Sequence, residues 1–257
     1  MTVAVAQKGS DYNQLAGLWP DFVGKRWDGA HGEFLTKILT RHNCQRVFNA
    51  AGGVGDDTVN LLKKGFSVKT NEIDTTFIKV IGELAQKKGA NIELSTWDWR
   101  EMERKGPAGE FDAVLLMGNS LTHLFSKEER LRSLRGFLHV LKPGGILVID
   151  ERNYQGMLDN RDELVGVWLP RSKTYPSDSV RVRLDELTDG HLVMRYMHQD
   201  GRTGTLRAYP FKRNELAAEL REAGFVIVDK YSDYHRFYGE KAQFYQYVAK
   251  KPFGRMD

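Results

Sequence analysis

At 257 residues, 41% hydrophobic and 28% charged, the chain is long enough to bury one large core, or a core with an insertion, and has the composition of an ordinary soluble globular protein. The net charge of +4 is spread, with Lys and Arg interleaved among Asp and Glu, which argues against a nucleic-acid partner. No apolar run approaches the length of a bilayer crossing, the first residues lack the pattern of a signal peptide, and the lone Cys44 excludes an internal disulfide, so a cytoplasmic protein with no membrane partner is expected.

In chain order, Phe34, Leu35, Ile38 and Leu39 fall at helical spacing within residues 30–42. Residues 46–51 are a short β-rich run ended by Gly52 and Gly53. A helix over 57–64 stops at Gly65, a C-cap glycine. Residues 66–72 predict a second strand, 74–88 a helix closed by Gly89, and 91–96 a third strand. The stretch EFDAVLLMGNS is nearly continuous in apolar residues, as buried parallel strands are. Residues 126–140 predict an amphipathic helix opening on Ser-Lys-Glu-Glu, a capping-box spacing. LKPGGILVIDE then predicts a Pro-Gly-Gly turn into a fifth buried strand.

Strands alternating with helices argue for βαβ units and a parallel sheet covered on both faces. From residue 153 to 209 that alternation stops. SVRVRLDEL, HLVMRYMHQ and GTLRAYP are strand-like pieces separated by the turn signals TDG and DGRTG. They predict an antiparallel insertion after strand five, at the carboxyl end of the sheet, where ligands bind in such folds. A helix over 213–222, GFVIVDKY and AQFYQYVAKK restore the α/β pattern. The expected organisation is a cofactor-binding core over 1–152 that includes an N-terminal covering segment, a lid over 153–209, and the rest of the core over 210–257.

The turn Gly52-Gly53-Val54-Gly55-Asp56-Asp57-Thr58 sits where a nucleotide site is built, yet Thr58 stands at the third position of a G-x-G-x-x-G fingerprint, and no Gly-Lys-Ser/Thr follows. Two acids at the helix start suit the helix dipole but repel a pyrophosphate. A ligand without phosphate near this helix fits better, and S-adenosylmethionine, an adenosine carrying a sulfonium, is one. Glu72 ends the second strand, where an acid can bind both ribose hydroxyls. Asp98 can accept from an adenine amino group, and Trp99 offers a ring to pack on the base. A glycine turn or an acid after a strand is by itself commonplace. The order glycine turn, acid, Asp-Trp at three successive strand ends is the specific signal.

With these residues go CQRVFNAAGGVGDDT, GFSV, DWRE, FDAVLLMGNSLTHLF, LKPGGILVIDERNY, VMRYM and FYQYVAKK. Over about residues 34–251 the chain resembles the class I S-adenosylmethionine-dependent methyltransferases. More narrowly, it is similar to the glycine N-methyltransferases and the glycine/sarcosine and dimethylglycine methyltransferases. The pairing of GNSLTHL with DERNY carries the narrower resemblance. It implies a Rossmann-like α/β fold, with a seven-stranded, mostly parallel sheet, helices on both faces and the antiparallel lid after strand five. It implies S-adenosylmethionine as cofactor and a small-molecule amine as acceptor, an amino acid of the glycine, sarcosine or dimethylglycine type, and leaves a homo-oligomer open.

Position by position, Ala51, Gly52, Gly53 and Gly55 match the turn holding the cofactor's methionine part, and Glu72 matches the ribose acid. Asp98 and Trp99 match the adenine contacts, and Arg26 the arginine on the cofactor's carboxylate. Met117, Gly118 and Asn119 match the segment running from cofactor to acceptor, followed by His123. Arg152 matches the arginine gripping the acceptor carboxylate. Tyr175 and Tyr196 match tyrosines lining the methyl-transfer site. The chain departs from the family at Asn49, where Asp is usual, at Glu72, again for Asp, and in its GGVG loop. These changes bear on the hold on the cofactor.

Methyl transfer from a sulfonium to an amine is an in-line displacement, so the protein mainly aligns two atoms and excludes water. The amine attacks when neutral. Solvent can take its proton, and His123, with a pKa in the useful range, can assist. Structural readings stand beside the functional ones. Arg152 can pair with Glu151 or a surface acid, Asn119 can cap a turn, His123 can be a packing histidine, and Tyr175 and Tyr196 can be lid core. Along HLVMRYMHQ, Tyr196 shares a face with Leu192, Met194 and His198, pointing inward. The histidines show no metal-like spacing, and no metal is expected. The alternatives are a methyltransferase for another amine or hydroxyl, and, given Asn49, a cofactor-binding protein with weak catalysis.

Overall fold

A computed structural model describes residues 15–23, 26–172, 174–236, 239 and 241–254. Helices α1 (Trp19–Val23) and α2 (Ala30–Arg41) precede strand β1 (Arg46–Asn49). Then come α3 (Asp56–Lys63), β2 (Ser67–Asn71), α4 (Thr75–Lys88), β3 (Glu93–Ser95), α5 (Met102–Lys105) and β4 (Phe111–Leu116). These are followed by α6 (Lys127–Val140), β5 (Leu141–Arg152), α7 (Tyr154–Asp159) and α8 (Arg161–Leu164). Strands β6 (Val180–Leu187), β7 (Leu192–His198) and β8 (Thr203–Ala208) precede α9 (Glu215–Glu222), β9 (Val226–Ser232) and β10 (Phe244–Lys250).

The main sheet has seven strands in the order β3-β2-β1-β4-β5-β10-β9, with β10 antiparallel to both its neighbours and the rest parallel. Its strands read as unbroken apolar runs because successive side chains enter different cores. Val47, Ala113, Leu115, Ile146 and Val148 pack with Phe34, Leu35, Ile38 and Leu39 of α2 and Leu61 of α3. Phe48, Val114, Leu116, Leu147 and Ile149 pack on the opposite face with Leu134 and Phe137 of α6 and Leu216 and Leu220 of α9. Each fully buried leucine contributes roughly 1.5–3 kcal/mol, so truncating Leu115 costs about 2–5 kcal/mol.

The expected antiparallel insertion is the three-stranded sheet β6-β7-β8. Its β7 alternates buried and half-buried residues, with Leu192, Met194, Tyr196 and His198 inward. Leu15 packs so closely on β8 that a Cβ added at Gly204 would stand 2.9 Å from its Cδ2. The Ser177 hydroxyl donates to the Asp21 carbonyl at 2.7 Å, which staples α1 to this insertion.

Helix ends follow the sequence signals closely. The Asp74 carboxylate caps α4, accepting from Thr76 and Phe77 N–H, and Gly89 closes it at φ +61°. Ser126 caps α6, accepting from Glu129 N–H. The strands end earlier than expected: β1 stops at Asn49 and β2 at Asn71. Past those points the chains part to form the site, although Ala50 N–H still donates to Leu115 O and Gly52 N–H to Asn71 O. Between α6 and α9 the buried Arg130 guanidinium holds Glu219 and donates to the carbonyls of Leu124 and Phe125. It also lies 4.2 Å over the Tyr209 ring, tying the loop after β4 to the chain returning from the insertion.

Candidate active site

A cavity of about 80 Å³ opens at the carboxyl ends of β1, β2, β4 and β5, roofed by α1 and the inner face of β7 and β8. One wall is the glycine turn. Gly52 packs against β2, where a Cβ would meet Thr70 Cγ2 at 2.7 Å. Gly53 has φ +54° and open space on its Cβ side, so the backbone can lie directly against a ligand. Glu72 stands beside it. Its Oε2 accepts from Gly53 N–H at 2.9 Å, and its Oε1 accepts from Ile73 and Asp74 N–H. Burial raises the Glu72 carboxyl above its usual range, against the pull of these N–H groups. Oε1 has both lone pairs taken by N–H groups, whereas Oε2, with one donor, keeps a lone pair for a hydroxyl.

On the same wall Asp57, buried, bridges two cations or donors. Arg26 Nη2 donates to its Oδ2 at 2.9 Å, and His31 Nε2 lies 2.8 Å from its Oδ1. Burial alone would raise the Asp57 carboxyl, but His31 and Arg26 outweigh it and hold it well below the usual range. Arg26 Nη1 reaches across the cavity to the Tyr175 hydroxyl at 3.3 Å.

The opposite wall is aromatic. Phe22 stacks on Tyr175 at 4.8 Å and meets Tyr196 edge-on at 5.0 Å, and Trp19 lies 5.3 Å from Tyr196. Such a cage suits a cation, whose charge the ring faces attract. Burial pushes the Tyr175 phenol up to about 12 and raises that of Tyr196, so both stay protonated. The Arg152 guanidinium lies 4.6 Å over the Phe244 ring and faces the cavity. No acid among the described residues pairs with it. Glu151 instead turns to the other side of β5 and accepts from the Tyr247 hydroxyl at 2.7 Å.

Asn119 sits at φ +63°, at the end of β4, with every amide group committed. Its Oδ1 accepts from Arg152 N–H at 2.9 Å. Its Nδ2 donates to Thr122 Oγ1 at 3.3 Å and to the Tyr154 hydroxyl. Its own N–H donates to Asp150 Oδ1. It therefore locks the end of β4 to the end of β5. Burial pushes the His123 imidazole down to about 4, below the useful range expected from sequence, so it is neutral at pH 7 and a weak base.

Of the residues singled out in the sequence, Arg26, Ala51, Gly52, Gly53, Glu72, Met117, Asn119, His123, Arg152, Tyr175 and Tyr196 line this one cavity. Four do not. Asn49 is buried under the turn, donating to Thr58 Oγ1, which shares a hydrogen bond with Thr70 Oγ1. Gly55, at φ +88°, starts α3. The Asp98 carboxylate is held by the Arg100 guanidinium, and the Trp99 indole N–H donates to Ala50 O. Sequence reading missed Trp19, Phe22, Asp57, Tyr154 and Phe244 as lining residues. A signal existed for the first two, because Leu15, Leu18, Trp19 and Phe22 follow helical spacing.

Residues 47–145 match the family model described as a methyltransferase domain. The chain is 34% identical over 223 residues to the glycine/sarcosine N-methyltransferase of Aphanothece halophytica, covering 86% of this chain and 82% of that protein. The chain belongs to the glycine/sarcosine N-methyltransferase family. A second member, from Halorhodospira halochloris, is 30% identical over 243 residues, covering 93% of this chain and 88% of its own length. Among solved structures, the CcbJ methyltransferase from Streptomyces caelestis superposes with a TM-score of 0.74 over 93% of this chain and 97% of that one, at 16% identity. That likeness shows the fold, a class I methyltransferase. The chain is accordingly an S-adenosylmethionine-dependent methyltransferase. The residues present fit that cofactor: an open glycine turn, a carboxylate beside it with a lone pair left for a hydroxyl, and a set of rings that suits a cation. No helix among the described residues is long and apolar enough to cross a membrane.

Proposed function

We propose that this enzyme methylates the amine of a small amino acid of the glycine, sarcosine or dimethylglycine type. The observation that carries the reading is Arg152, a cavity-facing guanidinium with no acid for a partner among the described residues. A guanidinium offers a carboxylate two parallel hydrogen bonds. The activities named for the A. halophytica and H. halochloris proteins support the same acceptor class. Small charged substrates with one carboxylate and one amine suit a cytoplasmic enzyme, and the reading includes no nucleic-acid partner.

S-adenosylmethionine, when bound, supplies the methyl group on a sulfonium. Glu72 holds the ribose, Gly52 and Gly53 admit the chain close to it, and Arg26 takes the cofactor's carboxylate. Arg152 fixes the acceptor carboxylate, leaving the amine near the tyrosine cage of Tyr175 and Tyr196. Asn119 acts on the acceptor through Arg152, whose backbone N–H it holds. With His123 neutral and weakly basic, the ammonium proton goes to solvent before attack, and the enzyme contributes alignment and the exclusion of water. A ligand pocket commonly measures roughly 300–1,000 Å³, so α1 and the insertion over residues 153–209 move as a lid when ligands enter. Hydrogen exchange that shows no added protection in 153–209 with both ligands bound counts against the lid.

The acceptor is tested by a methylation assay over glycine, sarcosine, dimethylglycine and amines without a carboxylate. Equal turnover of the carboxylate-free amines overturns the reading.

A further inference from the structure

Arg26 does not stand free in the cavity wall. Its Nη2 is fixed by Asp57, and Asp57 is fixed in turn by His31, a fully buried side chain on α2. An ionised carboxylate only accepts hydrogen bonds, so His31 Nε2 carries the proton that joins them. His31 Nδ1, buried, has no partner among the described residues, which leaves that tautomer free to form. Trp27 and Tyr234 meet the His31 ring edge-on at 6.1 and 5.3 Å and pack around it. The result is a relay of fixed contacts from α2 through the start of α3 to the guanidinium.

We propose that Asp57 and His31 are positioning residues that aim Arg26 at the carboxylate of the cofactor's amino-acid tail. The proposal rests on the reading that Arg26 meets that carboxylate. An arginine with four rotatable bonds loses much freedom when it binds an anion, and holding it beforehand removes that cost from the binding step. Asp57 takes one bond from Nη2 and the Tyr175 hydroxyl one from Nη1, so Nε–H and the second hydrogen of each Nη are left for a ligand. The arrangement also explains the acids at the start of α3. They neutralise Arg26 enough to disfavour a polyanion, while a tail bearing one carboxylate and one ammonium finds both signs on the same wall, Arg26 and Asp56.

The test compares two ligands on each variant by calorimetry: S-adenosylhomocysteine, and the same thioether with hydrogen in place of the carboxylate. The unaltered chain should prefer the carboxylate form by roughly tenfold or more. Asp57→Asn should reduce that preference at least about threefold while the decarboxylated ligand binds within about twofold of its original affinity. His31→Phe should act in the same direction, and His31→Gln, which keeps a donor, should restore the preference. The His31 pair carries the test if Asp57→Asn does not fold. An unchanged preference in Asp57→Asn and His31→Phe overturns the proposal, as does an equal loss for both ligands or a tighter grip on S-adenosylhomocysteine. Arg26→Ala serves as the separate control. If it keeps the preference, the reading of Arg26 fails, whereas its loss beside intact Asp57 and His31 variants sinks only the relay.

Discussion

The wall proposed for the cofactor is built from residues 51–54, Asp56, Asp57 and Glu72, carried on the adjacent ends of β1 and β2, whereas the wall proposed for the acceptor gathers Phe22, Asn119, Arg152, Tyr175, Tyr196 and Phe244 from separate stretches of the chain. In the first, backbone N–H groups do most of the holding, as Gly53, Ile73 and Asp74 do for Glu72. In the second, side chains hold side chains, as Asn119 is held by Tyr154 and Thr122. A wall made of backbone needs particular residues at fixed spacing. A wall made of side chains needs only that distant elements pack correctly.

The largest expected effect lies in the acceptor wall. Arg152→Lys keeps the charge and loses the fork, and should lower kcat/KM for an amino-acid acceptor by roughly a thousandfold, about 4 kcal/mol. Calorimetry should find cofactor binding near normal. Replacing the acceptor carboxylate by an amide should cost a similar amount, and the two losses should not add. Additive losses would mean that the two groups do not meet.

Two buried glutamates set the walls apart in their response to pH. Glu151, under the acceptor wall, has the Tyr247 hydroxyl for support, and burial pushes its carboxyl up to about 8. A carboxyl whose folded pKa is raised stabilises the fold most fully below the unfolded value, about 4.3, and that contribution is lost as pH rises through about 8. Glu151→Gln removes the dependence. Its denaturant-unfolding free energy should gain on the unaltered chain by an amount on the order of 3 kcal/mol between pH 4.5 and 7. Parallel pH profiles for the two proteins would show that Glu151 stays ionised in the fold.

Glu72, in the cofactor wall, has three N–H groups offsetting its burial, so its charge is better supported. Glu72→Ala should weaken cofactor binding by about 1.5–3 kcal/mol, roughly ten- to a hundredfold. Unchanged affinity by calorimetry would remove Glu72 from the ribose role and with it the contrast drawn between the walls.

The same contrast explains what the sequence disclosed. The alternation of strands and helices followed from apolar runs broken by glycine turns, and the antiparallel insertion from the turn signals TDG and DGRTG. Glu72 was visible because its place is set by the strand that carries it. Phe22 was not, since its helical spacing says that it is buried and nothing about which rings bury it. Asp57 was read only as an acid that suits the helix dipole and repels a pyrophosphate, because Arg26 and His31, 31 and 26 residues away, meet it only in the fold. Asp98 follows the family pattern, yet its neighbour Arg100 claims the carboxylate in this structure, a competition that motif spacing does not reveal.

Tyr154 offers the finest test. It lies within the stretch DERNY, two residues beyond Arg152, and its ring is fully buried against the cavity. Its hydroxyl accepts from Asn119 Nδ2, and Asn119 Oδ1 accepts from Arg152 N–H, so the phenol steadies the backbone that carries the guanidinium. Tyr154→Phe keeps the ring and its packing and removes only that acceptor. Thr122 Oγ1 still accepts from Asn119 Nδ2, so the amide is loosened rather than freed. The loss of one such bond is worth about 1 kcal/mol, or roughly fivefold in kcat/KM for the acceptor. Because the glycine turn and Glu72 lie outside this network, S-adenosylhomocysteine should bind as before. An equal loss in both quantities would show that the walls share one scaffold. A loss confined to acceptor kinetics would show that they are held independently, with Asn119 serving the acceptor side alone.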